Sequence, residues 1–190
     1  MSDDTHEMMA AVELAAKYYN NELLRGYGKD RDRARGYVKE RRLFAPMVEL
    51  FRIGYAPKQQ GVPWILRQIK DEKLLLKVGL LNRGEDGQLY DPMEGRVVFP
   101  QVSPIGRYLG FVGRDITSTR ADKYLSTGST PIFRRAEVLY RIDRARQGIE
   151  QEQTAIVVEG LLDAALMFQV GVKNVVATGT KSMTDAQAQI

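Results

Sequence analysis

The last forty residues constrain the fold most. Thr154-Ala-Ile-Val-Val158 is a short apolar run of the kind that forms a buried strand, Leu162 to Val170 has helical spacing, and Asn174-Val-Val-Ala177 is a second strand run. Strand, helix and strand in that order make a β-α-β unit, whose strands are expected to lie parallel with a right-handed crossover. Thr184 is placed to cap a further helix that barely begins before Ile190. One such unit cannot cover both faces of a parallel sheet, so further strands or another part of the protein must shield it.

Upstream the pattern differs. Val12, Ala16, Tyr19 and Leu23 recur at spacings of four, three and four, which predicts an amphipathic helix over about Glu7 to Leu24, ended by Gly26 and Gly28. A basic helix over Arg31 to Arg42 follows. Shorter helical pieces are expected after Pro46, with Val48 and Phe51 inward, after Pro63, with Trp64, Ile65 and Ile69, and over Leu74 to Val78. From Leu80 the punctuation is that of a small sheet: Asp86-Gly87 signals a hairpin, and Ser103-Pro-Ile-Gly106 separates two β-like runs, Arg96 to Gln101 and Tyr108 to Gly113. After Phe133 a helix is expected with Val138, Leu139, Ile142 and Ile149 on its inner side. The fold class is therefore α/β, with a mixed α/β portion over residues 1–150 and the start of a Rossmann-like β-α-β sheet within 151–190.

Composition narrows the chemistry. The 190 residues include no cysteine and one histidine, His6, near the amino terminus. Disulfides, thiolate nucleophiles and cysteine-held zinc are thereby excluded within this sequence. Any chemistry must use carboxylates, Lys, Arg, hydroxyls or a metal held by oxygen. No apolar run approaches the roughly 20 residues that span a bilayer, so a cytoplasmic protein without a membrane partner is expected.

The net charge of +4 is modest, but the cations cluster. Arg31, Arg33, Arg35, Lys39, Arg41, Arg42 and Arg52 form one group, and Arg134, Arg135, Arg141, Arg144 and Arg146 a second. Charge runs are usually solvated helix faces. Two clusters in a basic chain nevertheless favour a polyanionic partner, because many cations on one surface release many counterions.

Val157-Val-Glu-Gly160 puts Glu159 at the carboxyl end of a buried strand, where open α/β sheets bind ligands and where a hard cation would find an oxygen donor. From spacing alone the better reading is that the acid complements a helix dipole, and for Asp163, in the first helical turn, that reading is stronger still. No Gly-x-Gly-x-x-Gly loop follows a strand, which argues against dinucleotide chemistry.

These residues also carry a resemblance. Val157-Val-Glu-Gly-Leu-Leu-Asp163 resembles the opening motif of the Toprim domain. Tyr37-Val-Lys-Glu-Arg-Arg-Leu43, Gly54-Tyr-Ala-Pro57, Gly95-Arg-Val-Val-Phe-Pro100, Gly110-Phe-Val-Gly-Arg114, Lys123-Tyr-Leu-Ser126 and Thr130-Pro-Ile-Phe133 are similar, in that order, to the catalytic core of bacterial replicative primases.

The resemblance implies a template-directed nucleotidyltransferase that joins ribonucleotides into short RNA primers on single-stranded DNA, using Mg²⁺ or Mn²⁺. It implies Glu159 as catalytic and metal-associated acid, Asp163 as its acidic partner, and Arg41, Arg96, Arg114, Lys123 and Arg135 as holders of nucleic-acid or nucleotide phosphates. It also implies ribonucleoside triphosphates and a replicative helicase as partners, the latter through a region outside this sequence. The family's later Asp-x-Asp motif and its zinc module are likewise expected outside residues 1–190. Two departures stand out: Ala177-Thr-Gly-Thr-Lys181 has its glycine one position early, and Arg135 occupies a position where the family has Lys, keeping charge while changing geometry. The other readings are a non-catalytic fragment that binds single-stranded DNA, or another Toprim nucleic-acid enzyme.

Overall fold

The computed structural model describes residues 3–117 and 120–190. The spacing from Val12 to Leu23 does form a helix, α1 (Asp3–Arg25), with Val12, Ala16, Tyr19 and Leu23 all buried. Helix α2 (Lys29–Glu40) and the short α3 (Ala45–Leu50), with Pro46 in its first turn, follow. After β1 (Gly54–Tyr55) come α4 (Gly61–Gln68) and α5 (Glu72–Lys77), whose N-cap Asp71 accepts the Leu74 N–H. The Asp86-Gly87 turn joins β2 (Asn82–Arg83) to β3 (Leu89–Tyr90) as an antiparallel ribbon.

The two long runs become β4 (Arg96–Val102) and β5 (Tyr108–Asp115). With β1 and β6 (Tyr124–Ser126) they make an antiparallel sheet of order β1-β4-β5-β6. Strands β1 and β6 have two and three residues, too few to show a period in the sequence. Their presence is fixed by packing instead. A side chain at Gly54 would place its Cβ 2.5 Å from the Tyr19 backbone, so the absence of one lets α1 lie directly on the sheet.

Both faces of this sheet are buried. Val97, Phe99 and Val112 join one core cluster, and Val98 and Phe111 join another with α1, α4 and α5. The first cluster also takes in Phe51, Tyr140, Leu161, Phe168, Val175 and Ala177, so one core runs through residues on both sides of position 150. Gln169 adds polar stitches, donating to the Arg42 carbonyl at 2.9 Å and accepting from the Phe44 N–H at 2.8 Å.

The segment after Phe133 corrects the sequence reading. The expected helix is a 3-10 turn (Arg135–Glu137), then extended chain, then α6 (Ile142–Glu152). Tyr140 pairs antiparallel with Ala177 through N–H···O bonds of 2.8 and 3.2 Å, and Arg141 turns the chain through the left-handed region at φ 66°. Helical continuity through Tyr140 would have left the backbone groups of Ala177 without partners.

Beyond α6 the expected unit is present. Strands β7 (Ile156–Val158) and β8 (Val175–Ala177) pair in parallel around α7 (Leu161–Gln169). Helix α8 (Asp185–Ala188) starts with a capping box between Thr184 and Gln187. Among the described residues no helix is long and apolar enough to cross a membrane.

Asp91 has a measurable consequence. It is 3% exposed, accepts the Tyr19 O–H and the Met93 N–H at 2.7 Å each, and burial pushes its carboxyl up to about 6. The folded state therefore holds a proton that the unfolded chain has released, so stability falls as pH rises from about 4 to about 6. The loss is about 3 kcal/mol across that window. Asp91→Asn should remove this slope, because an amide can accept from Met93 and donate to the Tyr19 oxygen. Urea melts at about pH 4 and about pH 7 check it; equal slopes in parent and variant would contradict the assignment.

Candidate nucleic-acid interface and strand-end acids

The β4–β5 register decides which cations share a face. Val97 lies opposite Arg114, and Arg114 opposite Tyr124 on β6, so these three project to one side of the sheet. The Arg114 guanidinium stands 4.7 Å from the Tyr124 ring centroid and 6.0 Å from that of Tyr37 on α2. Arg41, just past α2, stands 5.4 Å from the same Tyr37 ring. Cation and ring thus alternate along Arg41, Tyr37, Arg114 and Tyr124. Tyr124 is 49% exposed, and Lys123 beside it is exposed. Burial raises the Tyr37 hydroxyl above its ordinary value, while Arg114 and Arg41 pull it back. Arg114 Nε is buried without a hydrogen-bond partner.

Arg96 behaves differently. Its register partner is Asp115, on the opposite side of the sheet from Arg114, and it is 3% exposed. One guanidinium nitrogen donates to the Asp122 carbonyl at 2.9 Å, which ties down the chain leading into β6. Burial, reinforced by Arg120, lowers its proton affinity, and Asp115 and Asp122 oppose that. Around Gly95, Arg120 and Lys58 also converge, forming a second cationic set that sequence reasoning did not single out. Neither residue sits in a charge run, so only the fold brings them together.

Part of the first basic cluster is structural. The Arg31 side chain is 7% exposed and bonds Glu22 at 2.7 Å, Asp30 at 3.1 Å, and Gln60. Arg35 bonds the Leu23 and Gly26 carbonyls and Asp32. These two cations hold α1 to α2. Arg41 is the cluster member that reaches the cation–ring row.

The acids sit at the carboxyl end of β7. Glu159 is exposed immediately after the strand, and its carbonyl accepts the Gly179 N–H at 3.0 Å. Asp163 is exposed in the first turn of α7, its carboxylate folded back over Gly160. Arg135 donates to the Gly179 carbonyl at 2.5 Å, and burial lowers its proton affinity. Gly179 is at φ 68°, and a Cβ there would run into the Arg135 guanidinium. The early glycine and the arginine at 135 are thus one feature: each accommodates the other. Among the described residues no group of three or more His, Cys, Asp or Glu side chains is placed to hold a metal. Two exposed carboxylates do fit the pattern of a Mg²⁺ site completed by substrate phosphates and water. Ile116, two residues past Arg114, and Leu162, three past Glu159, pack on the same core cluster, so the cation–ring row and the acids border one body.

Comparison with known proteins identifies the fold. The family described as DNA primase catalytic core, N-terminal domain, matches residues 18–146. A DNA primase of Listeria monocytogenes is 29% identical over the whole chain, which spans 30% of that protein's length. The RNA polymerase domain of Mycobacterium tuberculosis primase DnaG superposes with a TM-score of 0.88 at 26% identity, covering 97% of this chain and 60% of that one. A DnaG primase catalytic domain bound to ssDNA superposes with a TM-score of 0.84 at 26% identity, covering 100% of this chain and 58% of that one. The chain belongs to the DNA primase catalytic core family, and its fold is that of the primase catalytic cores on which it superposes.

Proposed function

We propose that this chain is part of a core that synthesises short RNA primers on single-stranded DNA from ribonucleoside triphosphates, in the cytoplasm, alongside a replicative helicase. The observation that carries the reading is the alternation of Arg41, Tyr37, Arg114 and Tyr124 beside Lys123. Cations bind backbone phosphates and rings stack on bases without regard to sequence, which suits a template. A DnaG primase catalytic domain bound to ssDNA superposes on this chain, which supports single-stranded DNA as the partner.

In this reading Arg41, Arg114 and Lys123 hold the template, Arg135 holds the loop after β8 and a nucleotide phosphate, and Arg96 supports the segment that presents Lys123 and Tyr124. Glu159 and Asp163 would hold Mg²⁺ or Mn²⁺, which when bound neutralises charge on the transferring phosphoryl group. Residues 151–190 would open a larger Toprim sheet that supplies further acids.

Two experiments test this. Arg114→Ala combined with Lys123→Ala should flatten the salt dependence of single-stranded DNA binding, lowering the log–log slope by about 1.4 if both cations contact phosphates. An unchanged slope would return both residues to ordinary surface duty. Glu159→Gln, in a chain extended through the acidic motif expected beyond Ile190, should abolish primer synthesis, because the amide keeps size but loses the charge that attracts the cation. Its melting should move little, since one exposed helix-terminal carboxylate contributes only about 0.3–1 kcal/mol. Full primer yield from the variant would remove Glu159 from the mechanism.

A further inference from the structure

The turn between β4 and β5 and the start of α6 border an open cavity of about 460 Å³, at the other end of the β4–β5 hairpin from Arg114. Its walls include Arg141, Asp143, Arg144, Arg146, Ile105 and Tyr108. Arg141 is 3% exposed and sits at φ 66°, a conformation that costs a non-glycine residue about 1–2 kcal/mol. Its guanidinium lies 4.5 Å from the Phe51 ring centroid and donates to Asp143 Oδ2 at 3.1 Å, while its Nε is buried with no acceptor. Arg144 reaches the same oxygen at 3.3 Å, leaving Asp143 Oδ1 buried with no donor.

Two residues that line the cavity thus carry a buried donor and a buried acceptor without partners, which a small inward shift of a ligand or side chain would pair. Three guanidinium groups against one carboxylate leave two positive charges, which match a phosphate monoester at neutral pH. The free Asp143 oxygen calls for a hydroxyl donor on the same ligand, as when a carboxylate accepts from a ribose. The Tyr108 ring and the exposed Ile105 side chain give a base an apolar surface beside the cations. A cavity of this size accommodates a small molecule.

We propose that this cavity binds the ribose-phosphate unit of a ribonucleotide, with Arg141, Arg144 and Arg146 on the phosphate and Asp143 Oδ1 accepting a ribose hydroxyl. The ligand is either a free nucleotide or one unit of an RNA strand. Titration calorimetry of the 190-residue chain with adenosine monophosphate, its dideoxy analogue and a pentaribonucleotide tests this. The monophosphate should bind about tenfold more tightly than the dideoxy form, the worth of one hydrogen bond to a charged group. A pentaribonucleotide that binds much more tightly than the monophosphate identifies a strand as the source, and equal affinities identify the free nucleotide.

Arg144→Ala with Arg146→Ala changes two exposed side chains and should weaken binding of the monophosphate at least about tenfold. Arg141→Gly relieves the left-handed backbone but removes the partner of Asp143, so it is read together with a thermal melt, and a folded variant should show weaker binding. Equal binding of the ribo and dideoxy forms, or parental affinity in the double variant, would overturn the proposal.

Discussion

The antiparallel ladder between β4 and β5 is the constraint on which the rest depends. Because side chains alternate across a strand, a slip of one residue would exchange every side chain between faces. Here both faces are buried, with Val97 and Val112 on one and Val98 and Phe111 on the other, so the register is held from two sides. That register aims Arg114 toward Tyr37 and Tyr124, and aims Arg96 away from them into the loop before β6. A pair of arginines that look equivalent in a list of cations therefore do different work. One offers its guanidinium face between two rings; the other is a buried strut.

A second constraint joins the two halves of the chain. Strand β8 needs a partner on its outer edge, and Tyr140 supplies it. The consequence is a chain reversal at Arg141 that places a buried cation at the head of α6, over the Phe51 ring. Edge pairing, core formation and the cationic cavity are thus three results of one backbone path. The Arg135–Gly179 contact works similarly at the carboxyl end of the sheet, where it packs the loop after β8 close to Glu159.

Much of the fold was legible from residue spacing. Helix α1, the β4–β5 hairpin and the parallel β7–α7–β8 unit each carry a period or a turn signal long enough to read. The segment from Val138 to Tyr140 was not, because its apolar positions fit a helix and only the distant backbone of Ala177 selects the extended form. Glu159, Arg114 and Arg41 were legible as candidates through motif and charge. The place of Tyr37 between two arginines was not, since a half-buried helical tyrosine reads as core until the strand carrying Arg114 is placed beside it. Arg31 failed in the opposite sense: in sequence it belongs to a basic run, and in space Glu22, Asp30 and Gln60 consume it.

The central claim is that the row from Arg41 to Tyr124 is where a single strand of DNA lies. A nuclear magnetic resonance titration of the chain with a short oligodeoxynucleotide tests it directly, because it reports position as well as affinity. The largest perturbations should fall on Tyr37, Arg41, Arg114, Lys123 and Tyr124. Perturbations confined to the α4–α5 face or to the cavity at Arg144, with Tyr37 and Tyr124 unmoved, would contradict the account.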